Sequence, residues 1–145
     1  MPQTFIPPQP TVISVSPSSG SGMGQTFKFT FSDTISALNI TTASMQFSTS
    51  TTTANTCLVT YDKNRGTLSL NGGAVSSLSG PLKLANKQCT VRSATVSASG
   101  TVLTISLDIK FTVTFTGNLN TYMYAADSAY GTSNGWLQKG TWITR

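Results

Sequence analysis

The stretch Leu103 to Phe115, LTISLDIKFTVTF, alternates without a break between apolar and polar residues. Leu103, Ile105, Leu107, Ile109, Phe111, Val113 and Phe115 fall on one phase; Thr104, Ser106, Asp108, Lys110, Thr112 and Thr114 fall on the other. A period of two is a strand with one face in a core and one in water, and no helix can use it. Unbroken, the stretch would run for roughly 43 Å at about 3.3 Å per residue, twice an ordinary strand. It is therefore expected to bend or change sheet near Asp108 to Lys110. QTFKFTFSD repeats the pattern, with Phe27, Phe29 and Phe31 opposite Lys28, Thr30 and Ser32.

Between such runs lie turn signals. KNRG, ending at Gly66, separates CLVTYD from TLSL; Ser99 and Gly100 separate CTVRSATVSAS from TVLTISLDI. TVISV, MQFS, TYMYAAD and GTWIT read as further strands, SSGSGMG as a turn or flexible joint, and residues 34 to 42 as a helical turn or loop. About seven to nine short strands with little helix predict an all-β fold, an antiparallel immunoglobulin-like β-sandwich. Residues 1–10, MPQTFIPPQP, hold four of the six prolines and read as an extended lead-in, with residues 11–145 as one sandwich domain.

Composition narrows the function. Charged residues make up 9% of the 145, against about a quarter in an average soluble protein, while Ser and Thr supply roughly thirty per cent. The surface is thus expected to be rich in hydroxyls. The net charge of +5 comes from scattered bases, with no run suited to a phosphate backbone, so nucleic acid is not an expected partner. No apolar run is long enough to span a membrane and no signal-type core follows Met1, so membrane insertion is not expected. Histidine and glutamate are absent, which removes Ser/His/Asp and Cys/His catalysis and Glu-based glycosidase pairs. Asp33, Asp62, Asp108 and Asp127 lie far apart, outside any calcium-loop spacing. A non-enzyme with no cofactor and no metal is expected.

Cys57 and Cys89 are the only cysteines. In a hydroxyl-rich chain of extracellular appearance they favour a disulfide, the alternative being two separate buried thiols. Two other groups are candidates for contact with partners. Tyr130, Trp136, Asn134 and Gln138 lie in or beside a glycine-rich stretch, where an aromatic face can stack on a sugar while amides hold its hydroxyls. The competing role for Trp136 is a cap on the sandwich end, and for Trp142 a place in the core. Phe5, Ile6, Val12, Ile13 and Val15 form an extended, partly apolar segment that can pair with its own sheet or be donated to a neighbouring copy. Thr112, Thr114 and Thr116 share one face at the strand's period of two.

VSPSSGSGMGQTFKFTFSD, CLVTYDKNRGTLSL with KQCTV, and YMYAADSAYGTSNGW followed by GTW together cover most of residues 13 to 143. In that combination the chain resembles immunoglobulin-like and fibronectin-III-like repeats of exported bacterial multidomain proteins, and more narrowly an uncharacterised repeat of acidobacterial exported proteins. The resemblance implies a sandwich whose cysteines pair, in an exported and often tandem setting, and it implies no activity. The expected function is a non-catalytic structural or adhesive module at the cell surface or outside the cell. Its expected partners are other protein domains, copies of itself, or a polysaccharide. The alternatives are a self-assembling filament subunit that donates its N-terminal segment, and a carbohydrate-binding module.

Overall fold

The computed structural model describes residues 7–49, 56–71, 75–82 and 84–145. Among these residues, twelve strands form two antiparallel sheets packed as a sandwich, more strands than the sequence pattern predicts. They are β1 (Pro10–Ser16), β2 (Gly24–Asp33), β3 (Thr42–Ser48), β4 (Cys57–Asp62), β5 (Thr67–Leu70), β6 (Val75–Ser77), β7 (Leu84–Ala85), β8 (Cys89–Ser99), β9 (Val102–Phe111), β10 (Gly117–Asp127), β11 (Thr132–Ser133) and β12 (Leu137–Thr144). The extra strands are the short pieces β6, β7 and β11, of two or three residues each. One sheet has the order β1-β2-β9-β8-β7; the other runs β11-β10-β3-β4-β5-β6, with β12 also paired to β10.

The alternating segments supply the core. Phe27, Phe29 and Phe31 from β2 and Leu103, Ile105, Leu107, Ile109 and Phe111 from β9 are buried, and they meet Met45 and Phe47 from β3 and Met123 from β10. At one end the rings cluster: Phe27 lies 4.7 Å from Phe47 and 5.0 Å from Trp142, and Phe47 lies 5.2 Å from Phe111. Edge-on packing of this kind adds to the burial of each ring. Trp142 is a core residue, and its Nε1 donates to the Gly22 carbonyl at 3.0 Å.

The long alternation does not continue to Phe115. β9 stops at Phe111, and residues 112–116 turn across to the other sheet, leaving Val113 83% exposed. The reason is hydroxyl chemistry: the Thr112 and Thr114 Oγ1 atoms both donate to the Lys87 carbonyl, at 2.6 and 3.3 Å, which suits a turn and not a ladder. This removes the threonine row at 112 to 116. The change of sheet comes after Phe111 and not near Asp108 to Lys110.

SSGSGMG is likewise more than a joint. Ser18, Gly20 and Gly22 run beside β12, with Thr141 N–H donating to Ser18 O, Ile143 N–H to Gly20 O, and Gly22 N–H to Ile143 O, each at 2.9 Å. The bridge between Ser21 and Ile143 is parallel. A side chain does not fit here: at Gly20, with φ of +146°, a Cβ would lie 2.7 Å from the Trp142 ring.

Cys57 and Cys89 form a buried disulfide, joining β4 of one sheet to β8 of the other with their Cα atoms 5.7 Å apart. No helix among the described residues is long and apolar enough to cross a membrane.

Candidate functional site

The site grows from the alternation in β10. Leu119, Thr121, Met123, Ala125 and Asp127 are buried between the sheets, which turns Asn120, Tyr122, Tyr124 and Ala126 to the outer face. At the strand's end the Asp127 carboxylate caps a turn, its Oδ1 accepting from Ala129 N–H at 2.9 Å and Tyr130 N–H at 3.4 Å. Thr41 fastens the same turn by accepting from Ser128 N–H at 2.8 Å. The chain then folds back, so that β11 pairs with Ala126 and Asp127.

This return creates an open groove of about 320 Å³ at the lower end of small-ligand pockets, lined by Thr42, Tyr124, Ala126, Ser128, Thr132 and Ser133 among others. Trp136 stacks beside it on Tyr124, with ring centroids 5.4 Å apart and planes inclined by 37°. Tyr130 stands on the adjoining turn, half exposed at 50%. The arrangement offers an aromatic wall with hydroxyls around it, a combination that suits the alternating apolar and hydroxylated faces of a sugar ring. Tyr124 is not among the candidates read from the sequence, although TYMYAAD carries the signal: a period of two sets both tyrosines on one face, opposite Met123 and Ala125.

The four candidate binding residues are not gathered into one site: Gln138 pairs opposite Tyr122, five positions along β10 from the Asp127 turn that carries Tyr130, and none of the four is among the residues lining the groove. Asn134 is tied to the start of the chain, its Oδ1 accepting from Gln9 Nε2 at 2.9 Å and its Nδ2 donating to Thr11 Oγ1 at 3.4 Å. Thr132 Oγ1 donates to the Pro8 carbonyl at 2.7 Å in the same strap. Gln138 Nε2 donates to Asn120 Oδ1 at 3.1 Å, and Asn120 Nδ2 donates to Tyr122 Oη at 3.2 Å. Trp136 and Tyr130 flank the groove, whereas Asn134 is occupied in holding the first strand.

Of the candidate assembly residues, Phe5 and Ile6 lie outside the described residues. β1 pairs with β2 of its own chain, and Val12 and Val15 are each only 3% exposed in its core. A register shift between Val12 and Ser14 expels Ile13 to 45% exposure, which is why two valines three apart face the same way. Donation of this segment to another copy would require it to leave that pairing.

The remaining carboxylates serve structure. Asp33 Oδ1 accepts from the Ile35 and Ser36 N–H groups at 2.9 and 3.1 Å. Asp108 holds Arg92 at 2.8 Å, and Asp62 faces Arg65 at 3.7 Å. No protein-family model matches the chain, and no curated protein is significantly similar to it.

Proposed function

We propose that the chain is a non-catalytic structural or adhesive module of an exported protein, built to stand in series with other domains. The observation that carries this reading is the path of the chain through the sandwich. Residues 8 to 10 sit at the pole where Thr132, Thr34 and Asp127 gather, and β1 runs from there toward the other pole. β12 runs the same way and ends at Thr144, opposite Gly117 at the far end of β10. That strand has 11 residues, so the two poles are about 36 Å apart. The parallel ladder between residues 18–22 and β12 lies along this axis. A pull on both poles loads its bonds in shear together, not one at a time. The disulfide between the sheets supports an oxidising, extracellular setting, in keeping with the exported repeats that the chain resembles.

Stretching a concatemer of the module in a force spectrometer tests the reading. Discrete unfolding events, one per module, are expected. Under oxidising conditions the 32-residue separation of the cysteines stays locked, so each event should release about 11 nm less contour than after reduction. Gradual lengthening without discrete events would remove the case for a module that carries tension.

A second reading, carbohydrate binding, is favoured by the Trp136 and Tyr124 stack beside the groove. Titrating soluble oligosaccharides against tryptophan fluorescence checks it, because Trp142 is buried and Trp136 is not. The signal should vanish in Trp136→Ala. If no sugar in a panel of neutral and acidic glycans shifts the signal, this second reading fails. Filament growth by a donated N-terminal strand is the weakest of the three, since β1 is already paired at home.

A further inference from the structure

A sandwich sheet ends in strands whose outer N–H and C=O groups can template another chain. Most edges of this molecule are blunted. β1 begins at a proline, is bulged at Ile13, and is strapped to the β11 end of the other sheet. The outer side of β12 carries the ladder from residues 18–22, and β6 has only 3 residues. β8 is different. β7 covers it only at Thr90 and Val91, and among the described residues no strand or backbone bond meets the outer side of Ser93 to Ser99.

Hairpin geometry says which groups this edge offers. Ser99 faces Val102 across the two residues Gly100 and Thr101, with Gly100 at φ +61°. A two-residue hairpin makes its flanking pair a hydrogen-bonded one, and the pairs alternate from there. Ser93, Thr95, Ser97 and Ser99 thus bond inward to β9. Ala94, Val96 and Ala98 turn both their N–H and C=O groups outward.

We infer that this edge joins the same edge of a second copy, antiparallel, about a two-fold axis at Val96. The stretch Ser93 to Ser99, SATVSAS, reads almost identically in both directions. Such an axis sets Val96 against Val96, Ala94 against Ala98, Thr95 against Ser97 and Ser93 against Ser99. All three outward-facing residues then meet outward-facing partners, giving about six backbone hydrogen bonds. Any shift by one residue would set outward groups against inward ones. On the inner face, Ala94 and Val96 already pack against the core and would extend it across the seam. On the outer face, hydroxyl meets hydroxyl.

Charge permits the contact despite a net charge of +5. The seam itself is neutral, and each Arg92 is held by its own Asp108 at 2.8 Å. The two Arg92 residues fall roughly 27 Å apart along the joined strands, beyond the screening length at physiological salt.

Sedimentation of the oxidised full chain from micromolar to millimolar concentration tests the inference. A monomer–dimer equilibrium is expected, with amide exchange at Ala94, Val96 and Ala98 slowing as concentration rises while Thr95 and Ser97 stay unchanged. The double variant Thr95→Lys, Ser97→Lys sets lysine against lysine on an exposed face, and association should weaken at least about tenfold. Mixing it with Thr95→Glu, Ser97→Glu should restore the pair. Unaltered Trp142 fluorescence checks that each variant is folded. A strict monomer at every concentration overturns the inference, as does a dimer indifferent to the lysines or protected only at other amides.

Discussion

Tyr61 shows how one side chain ties the fold to pH. It is 8% exposed, on the inner face of β4. Burial, and secondarily the neighbouring Asp62 carboxylate, push its hydroxyl above the usual 10.0. An acid whose pKa is higher in the folded than in the unfolded chain contributes stability that is intact below the unfolded value and lost as pH rises through the folded one. Stability should therefore fall above about pH 10, and Tyr61→Phe should lessen that fall while leaving the neutral-pH midpoint nearly unchanged. Urea unfolding of both proteins from pH 8 to 11 would decide; parallel curves would remove Tyr61 as a cause. The residue scale also explains why Asn134 misleads a reader of sequence. An amide in a glycine-rich loop has the chemistry to hold a sugar, yet Gln9 and Thr11, more than a hundred positions away, claim it first.

Among the elements, strands were legible wherever alternation was strict, as in β2, β9 and β10. Breaks of phase were informative too. In CTVRSATV the apolar positions Cys89, Val91, Ala94 and Val96 skip a beat, and the register shift between Val91 and Ser93 falls at that break, leaving Arg92 to reach Asp108. What alternation could not reveal is the use made of SSGSGMG, because glycine and serine carry no face. Only the packed Trp142 makes glycine necessary at position 20. Gly20→Ala should cost roughly 2–3 kcal/mol, through an unfavourable φ and a clash with a ring that cannot retreat from the core. Its unfolding midpoint, with Trp142 fluorescence as the probe, measures this; a loss below about 0.5 kcal/mol, an ordinary surface effect, would show that the ladder yields.

For the whole molecule, the disulfide is the one covalent side-chain link between the sheets. Closing a loop across the 32-residue separation is worth about 3–4 kcal/mol in the chain-entropy treatment, a large share of a small domain's stability. Reduction in denaturant should lower the stability by about that amount, measured as the shift of the urea midpoint against the oxidised chain. An unshifted midpoint would mean that the packed ring cluster alone holds the two sheets. The same tie divides the chain mechanically, since a pull from pole to pole cannot extend the segment between Cys57 and Cys89 while the bond stands.

The sequence by itself determined the strand character of the chain, its main turns and the hydroxyl-rich outer faces, because alternation and turn chemistry act over a few neighbouring residues; it left two cysteines that could pair without deciding that they bond. Which sheet each strand joins, where the groove opens beside Tyr124, and which edge is left uncovered were decided only by the tertiary structure. Those features depend on contacts between residues distant in sequence, such as Thr132 with Pro8 and Trp142 with Gly22, and a period of two carries the orientation of a side chain but not the identity of its partner.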